Sequence, residues 1–176
     1  MKILLSPAKS LNFEKKLSIG PSVLPFFAEA STKVANKLSK LSVPKLMELQ
    51  KIRKTLAELN RQRNLSWDIN NIPHGKQAGL AFSGDVYLGM QAENWSEPDM
   101  DFANNTIWIL SGLYGLLQPN TMILPYRLEM GTALAIGRKA NLYKFWQPVF
   151  ANFVKEELSD TETIVNLASK EYAQAF

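Results

Sequence analysis

The stretch Thr106–Gly131, TIWILSGLYGLLQPNTMILPYRLEMG, decides the fold of this chain. It opens with an apolar, β-branched run, Ile107–Leu110, which predicts a buried strand. The run ends at Ser111–Gly115, where two glycines supply turn geometry and let another group approach the backbone closely. A glycine-rich turn after a strand can present its amides to an anion, so Gly112 and Gly115 are candidate phosphate ligands. A tight, packed turn is the alternative.

Two charged residues near the end of the same stretch are candidates for a site. Arg127 and Glu129 share one face if the backbone of Pro125–Glu129 is extended. Arg127 could then clamp an anion, and Glu129 could act as a base. The alternative is that the two side chains simply pair with each other.

The composition predicts one soluble domain over residues 1–176. Of the 176 residues, 46% are hydrophobic and 20% are charged, which is an ordinary globular balance. No apolar run approaches the roughly 18 residues that a membrane span needs. The first apolar run after Met1 is too short for a signal peptide. We therefore expect a cytoplasmic protein that does not bind membranes.

The residue types exclude several classes of site. The chain has no cysteine, which rules out disulfides, thiolate metal ligands and cysteine nucleophiles. His74 is the only histidine, so a multi-histidine zinc site is excluded and little remains for Ser–His chemistry. The acidic stretch Glu93–Asp101 matches no calcium loop and favours a solvated loop or a helix N-terminus. We expect no metal and no cofactor.

Positive charge is concentrated in one segment of the chain. Lys33–Arg63 contains nine basic and two acidic residues, a net charge of +7 in a chain whose total is +4. Such segregation favours a polyanionic partner, because lysine and arginine bind phosphates by releasing counterions. Lys51, Arg53 and Lys54 are the phosphate-binding candidates of this segment. A solvated helical surface is the alternative.

Hydrophobic periodicity predicts a mixed α/β (α+β) fold, in which helices flank a mixed sheet. Besides the buried strand, strands are predicted at Lys2–Leu5 and Thr163–Leu167, and helices at Pro25–Leu41, from Val43 to about Asn60, and at Leu142–Leu158. Pro148 lies inside the last of these helices, so a kink or a break is expected there.

The loop after the first strand and a turn near the middle of the chain add polar candidates. Proline cannot extend a central strand, so Ser6–Ser10 must leave the sheet. Ser6 and Lys9 at this strand end could contact a phosphate or a carboxylate, although an ordinary polar loop is the simpler alternative. Asp85 follows Gly84 in a predicted turn and is a candidate base.

One short run resembles a DNA-binding turn. Ile136–Ala140, IGRKA, is similar to the hairpin of helix-hairpin-helix motifs, whose amides hold a phosphate beside basic side chains. This makes Arg138 and Lys139 phosphate-binding candidates. A strand hairpin explains the run equally well, and Gly112–Pro119 competes for the same role.

Four segments stand out together: Leu5–Leu11 (LSPAKSL), Phe82–Gly89 (FSGDVYLG), Leu110–Pro119 with Pro125–Gly131, and Asn166–Tyr172 (NLASKEY). In their order and spacing they are similar to the YaaA peroxide-stress protein family, long listed as uncharacterised. The likeness covers essentially the whole chain. Members of that family continue well beyond the fourth segment, so the resemblance implies that this chain lacks a C-terminal part.

The resemblance carries expectations about function. It implies a bacterial, cytoplasmic protein of the oxidative-stress response that limits damage linked to iron. It also implies DNA binding through a positively charged cleft and a helix-hairpin-helix element, on an unusual mixed α/β fold. No enzymatic activity is established for the family, so catalysis is the less favoured expectation.

Two functions are compatible with the sequence and the resemblance. Neither of them predicts the oligomeric state. In the first, the chain binds DNA without catalysis, as a duplex or as a recombination or repair structure. Its phosphate-binding candidates are Lys9, Lys51, Arg53, Lys54, Gly112, Gly115, Arg138 and Lys139. In the second, an enzyme acts on a nucleotide or nucleic acid through a pocket at the strand ends. Its candidates are Ser6, Asp85, Tyr114, Arg127 and Glu129, with Tyr126 as an alternative proton donor or stacking ring.

Overall fold

The computed structural model describes residues 1–15 and 17–176. The strands are β1 (Lys2–Leu5), β2 (Ser10–Leu11), β3 (Lys76–Gln77), β4 (Phe82–Ser83), β5 (Ile107–Ser111), β6 (Gly115–Leu117), β7 (Met122–Ile123) and β8 (Ile164–Asn166). The α-helices are α1 (Ala28–Leu38), α2 (Val43–Gln50), α3 (Lys54–Ser66), α4 (Ala78–Ala81), α5 (Asp85–Met90), α6 (Glu97–Thr106), α7 (Leu142–Glu157) and α8 (Lys170–Ala173), with 3₁₀ helices at Ile69–His74 and Ala92–Asn94. The predicted mixed fold with flanking helices is confirmed. No helix among the described residues is both long and apolar enough to cross a membrane.

The central sheet has four strands in the order β6-β5-β1-β8. β1 runs parallel to both of its neighbours, so Ile3 lies opposite Ile107 on one side and Val165 on the other. β6 returns antiparallel to β5, with Ser111 opposite Gly115. Since β1, β5 and β8 are parallel, the loops that follow them meet at one edge of the sheet, where open α/β sheets bind ligands. We call this the strand-end edge.

Helix α7 and its aromatic residues close the core on one side. Trp146 and Phe150 are fully buried, and their rings stack with centroids 5.6 Å apart. The helix is continuous from Leu142 to Glu157 with Pro148 inside it, so the predicted break does not occur. An interior proline costs about 3 kcal/mol, whereas burying a large apolar side chain gains about 1.5–3 kcal/mol. The two buried rings therefore offset the cost of the proline.

The single helix predicted from Val43 to about Asn60 is wrong, because the segment forms two helices. Lys51 takes a left-handed conformation with φ of 51° and ends α2, and its N–H donates to the carbonyl of Met47. Arg53 is extended and starts α3. The turn folds α3 back against α2, and Leu46 of α2 and Ala57 of α3 are both buried.

The acidic stretch forms the N-terminus of α6, as one of its two predicted alternatives required. The Ser96 N–H donates to Asp99 Oδ2 at 2.9 Å, and the Asp99 N–H donates to Ser96 Oγ at 3.3 Å, which is a capping box. The hydrogen bonds from Ser96 lower the pKa of the Asp99 carboxyl. Within the described part of the chain, no three acidic or histidine side chains are grouped so as to hold a metal ion.

Candidate functional site

Two serines join the loops after β1 and β8 at the strand-end edge. The Ser169 N–H donates to Ser6 Oγ at 2.9 Å, and the Ser6 hydroxyl donates to Ser169 Oγ at 3.2 Å. Tyr87 of α5 donates its hydroxyl to the Ser6 carbonyl at 2.8 Å, and burial raises the pKa of Tyr87. Ser6 therefore fixes the positions of two loops and one helix relative to each other.

Tyr114, a candidate proton donor, lies in the core. Its hydroxyl oxygen accepts hydrogen bonds from Trp67 Nε1 at 2.9 Å and from the Leu124 N–H at 3.0 Å. Burial raises the pKa of Tyr114 to about 12. Tyr126 is also buried, edge-on to Tyr114 at 5.2 Å, and its hydroxyl pairs with Ser111 Oγ at 2.7 Å. Both tyrosines are held inside the protein, away from any surface substrate.

The two glycines proposed as phosphate ligands are also core residues. A Cβ at Gly112 would lie 2.5 Å from the Leu128 carbonyl oxygen. Gly115 has φ of +79°, and a Cβ there would lie 2.7 Å from the Trp146 ring. Both glycines are buried, so close packing accounts for them and their amides do not face a surface phosphate. The turn between them joins two strands, which excludes Gly112–Pro119 as a helix-hairpin-helix.

Arg127 and Glu129 pair as their alternation in the sequence suggested. Arg127 Nη2 donates to Glu129 Oε1 at 2.7 Å, and the two side chains are only 19% and 27% exposed. Lys9 Nζ lies 3.4 Å from Glu129 Oε2, so one carboxylate serves two cations. Gln50 Nε2 donates to the Arg127 carbonyl at 2.8 Å. The pair is thereby tied to both α2 and the loop after β1.

A small polar cavity of about 270 Å³ adjoins this pair, and we call it the Arg127 cavity. It is lined by Leu49, Gln50, Lys51, Arg127, Glu129, Gly131, Thr132 and Glu171. Glu171 of α8 is held in place because its Oε1 accepts the Gly131 N–H at 2.8 Å. The cavity thus combines the end of α2, the segment after β7 and the first turn of α8.

A second cavity of about 420 Å³, the Asp85 cavity, lies on the other side of Lys9. Ser6, Lys9, Asp85 and Tyr87 are among its lining residues. The Lys9–Glu129 ion pair therefore stands between the two cavities, since each cavity is lined by one partner of the pair. The structure brings Ser6, Lys9, Asp85, Arg127 and Glu129 to one edge, but in two cavities and without Tyr114.

The turn Lys51–Arg53 joins α2 and α3, two helices that pack against each other, and we call it the Lys51–Arg53 hairpin. Lys51, Arg53 and Lys54 are all exposed. Lys54 Nζ lies 3.9 Å from Glu58, and Lys51 and Arg53 form no ion pair with any described residue. No side chain of the described residues caps the N-terminus of α3. Sequence reasoning missed this hairpin because no glycine marks it.

Lys139 and α1 form a third feature, which we call the lysine groove, of about 630 Å³. Its lining residues are Lys33, Asn36, Lys37, Lys40, Ile136, Gly137, Lys139, Phe145, Pro148 and Val149. Ile136 and Lys139 exchange backbone hydrogen bonds of 3.0 Å around Gly137, whose φ is +58°. This tight antiparallel turn matches the strand-hairpin alternative for Ile136–Ala140, because no helix of the described residues leads directly into it. Arg138 is exposed beside the groove.

Comparison with known proteins decides the family. The family model described as peroxide stress protein YaaA matches residues 1–176. The chain belongs to the YaaA peroxide-stress protein family. A curated relative, UPF0246 protein Bpet1601 of Bordetella petrii, is 42% identical over 175 residues, which are 98% of this chain and 68% of that protein. The resemblance carried by the four sequence segments is confirmed.

Gln50 and Glu171, which both form hydrogen bonds at the Arg127 cavity, were not among the sequence candidates. Gln50 is the last residue of α2, and its side chain reaches the Arg127 carbonyl, 77 residues further along the chain. Glu171 lies in the family segment Asn166–Tyr172, which could have singled it out. Its contact with Gly131 depends on how β8 and its following loop pack, and no local pattern encodes that.

Proposed function

We propose that this chain is a DNA-binding member of its peroxide-stress family and helps in this way to limit iron-linked damage. It holds the phosphate backbone on the lysine groove and on the Lys51–Arg53 hairpin. One observation carries the proposal: the fold sets Lys139 beside Lys33, Lys37 and Lys40, although it comes from a distant part of the sequence.

The lining of the lysine groove suits a polyanion. Four ammonium groups border it, and no acidic residue of the described chain lines it. Lysines that neutralise phosphates gain affinity by releasing condensed counterions. Phe145 and Val149 add apolar surface to the same groove, and an aromatic ring beside a basic track can stack against an exposed base.

The hairpin supplies a second set of phosphate donors. The first N–H groups of a helix have no partner inside the helix, and in α3 no side chain caps them. Such amides, at the positive end of the helix dipole, bind phosphate oxygens well. Lys51, Arg53 and Lys54 surround this end of α3. Contacts of this kind position DNA without reading its sequence.

The proposal is tested by fluorescence anisotropy with a labelled duplex and a labelled four-way junction across a salt series. Each phosphate contact contributes about 0.9 to the slope of log K against log salt. We expect K139Q and R53Q each to weaken binding and to lower the slope by about 1. K155Q removes one exposed charge near the end of α7, outside both features, and serves as the matched control.

The proposal fails if the chain binds neither DNA form at low salt, or if binding is insensitive to salt. It also fails if K139Q and R53Q behave like K155Q, because the phosphates would then lie elsewhere. A preference for the junction over the duplex would identify repair or recombination structures as the partner.

The alternative is an enzyme acting on a nucleotide or nucleic acid at the strand-end edge. It is favoured by the ion pair of Lys9 with Glu129 between two cavities, because ligand sites of α/β sheets concentrate at this edge. In that reading Glu129 or Asp85 is the base, and Arg127 binds an anion. Turnover of nucleotides or DNA that disappears in E129Q, with folding retained, would support it.

A further inference from the structure

The Arg127 cavity and the Lys51–Arg53 hairpin share one residue, Lys51. Lys51 forms the left-handed turn after α2 and also lines the cavity, together with its neighbours Leu49 and Gln50. A nucleic acid whose phosphates rest on the hairpin therefore passes the mouth of this cavity. The cavity, of about 270 Å³, is close to the lower limit of small-molecule sites. It has room for a ring system but not for a strand.

The charges around the cavity disfavour a phosphate inside it. Lys51 and Arg127 are balanced by Glu129 and Glu171, so the lining has no net charge. Two carboxylates beside a phosphate would repel it, whereas they accept hydrogen bonds from neutral amino groups. The ligand best suited to this lining is uncharged and carries both hydrogen-bond donors and hydrogen-bond acceptors.

Two residues that line the cavity, Gln50 and Arg127, each contain a buried polar atom that reinforces this conclusion. Gln50 Oε1 and Arg127 Nε are buried and have no hydrogen-bond partner among the described residues. Such groups are rare in native proteins, because each costs about 1–3 kcal/mol. One is an acceptor and the other a donor. A ligand with one hydrogen-bond donor and one acceptor would satisfy Gln50 Oε1 and Arg127 Nε if the two side chains moved toward it.

We infer that the Arg127 cavity takes a nucleobase, unstacked from nucleic acid held at the hairpin. The edge of a base presents adjacent hydrogen-bond donors and acceptors on a flat, uncharged ring. These groups complement the donors and acceptors of this lining, which has no net charge. Unstacking costs a few kcal/mol in a paired duplex and least at an unpaired position. The cavity therefore selects bulged, mismatched or single-stranded bases. This inference rests on the proposed DNA binding.

The test uses 2-aminopurine, a base whose fluorescence rises when it leaves the stack. It is placed in a single-nucleotide bulge, and a fully paired duplex serves as reference. We expect the protein to increase the fluorescence of the bulge and to bind it about tenfold more tightly than the duplex, a ratio that one or two base hydrogen bonds provide. Anisotropy of both DNAs is measured in parallel.

Two variants and one control locate the effect. L49F fills the cavity from a half-buried position and is expected to abolish the preference for the bulge while duplex affinity stays unchanged. E171Q keeps an oxygen for the Gly131 N–H but weakens one acceptor, and a threefold smaller preference is expected, about the value of one hydrogen bond. L59F makes the same change as L49F on the exposed side of α3 and is expected to match the wild type.

The outcomes separate the two proposals. Salt-dependent duplex binding without a fluorescence rise or a bulge preference overturns the base site and leaves the DNA-binding function standing. An effect that survives both L49F and E171Q also overturns the site. If no DNA binds, the proposed function fails. Binding of free 2-aminopurine riboside then tests whether the Arg127 cavity takes a base. Saturable binding of the riboside that L49F removes would identify a free nucleoside as the source of the base, and no binding would overturn the inference.

Discussion

Lys9 Nζ lies 3.4 Å from Glu129 Oε2, and this ion pair links the loop after β1 to the segment that follows β7. The other oxygen of the same carboxylate is held by Arg127 at 2.7 Å. Two segments that are distant in the sequence are thereby fixed to each other at the strand-end edge. Lys9 and Arg127 both pair with the carboxylate of Glu129. The contact between the two segments therefore depends on the negative charge of Glu129.

Neutralising that carboxylate is predicted to destabilise the protein modestly. In E129Q both cations lose their charged partner, and Arg127 is only 19% exposed. We expect the free energy of unfolding in urea to fall by about 1–2 kcal/mol, because the pair is partly shielded from water. The control is E48Q, which breaks the exposed pair with Lys45 and is expected to change stability by less than about 0.5 kcal/mol. Equal losses in the two variants would contradict the role assigned to Glu129.

The hydroxyl of Tyr114 is predicted to serve stability. Y114F leaves two donors in the core without an acceptor, Trp67 Nε1 and the Leu124 N–H. Each unsatisfied buried group costs about 1–3 kcal/mol, so we expect a loss of about 2–4 kcal/mol in urea unfolding. Y143F removes the hydroxyl of a half-buried tyrosine that forms no side-chain hydrogen bond with described residues, and it should cost less than about 0.5 kcal/mol. A loss below about 1 kcal/mol in Y114F would show that water replaces the hydroxyl.

Alkaline pH is predicted to unfold the protein before the buried tyrosines ionise. Burial raises the pKa of Tyr114 to about 12 and that of Tyr126 well above its usual value of 10. The unfolded chain releases these protons near pH 10, so the stabilisation is complete below pH 10 and is lost as the pH rises toward 12. Tyrosinate absorbance should therefore appear together with the loss of near-UV circular dichroism. Ionisation of all five tyrosines near pH 10 in a folded protein would contradict their burial.

The local pattern of the sequence was sufficient for three strands of the central sheet, β1, β5 and β8, and it offered the Arg127–Glu129 pair as one of two alternatives. Ile107–Leu110 is apolar and β-branched, and the two charged residues alternate on an extended backbone. Contacts between distant elements could not be read in this way. Lys9 meets Glu129, and Lys139 meets the lysines of α1, only because the strand order and helix packing bring their loops together.

The hairpin shows a second limit of sequence reasoning. Left-handed turns are usually marked by glycine, and here Lys51 occupies that conformation. Apolar residues recur every three or four positions across Lys51, at Leu46, Leu49, Ile52, Leu56 and Leu59, and this spacing favoured one long helix. The packing of α3 against α2 outweighed this local preference, and hydrophobic periodicity alone does not report contacts between helices.

Lys51 is predicted to bind a DNA phosphate and, because of its left-handed conformation, to lower the free energy of unfolding. A non-glycine residue in the left-handed region costs about 1 kcal/mol, so K51G should raise the free energy of unfolding by about 0.5–1 kcal/mol. The same change removes a phosphate contact, and we expect weaker DNA binding with a salt slope lower by about 1. Gln91 has φ of 48° at the end of α5 and lies outside the groove and the hairpin. Q91G should therefore be stabilised equally and bind DNA like the wild type. If K51G gains stability and also keeps its full affinity and slope, then Lys51 does not touch the phosphates, and the hairpin would have to act through Arg53, Lys54 and its amides.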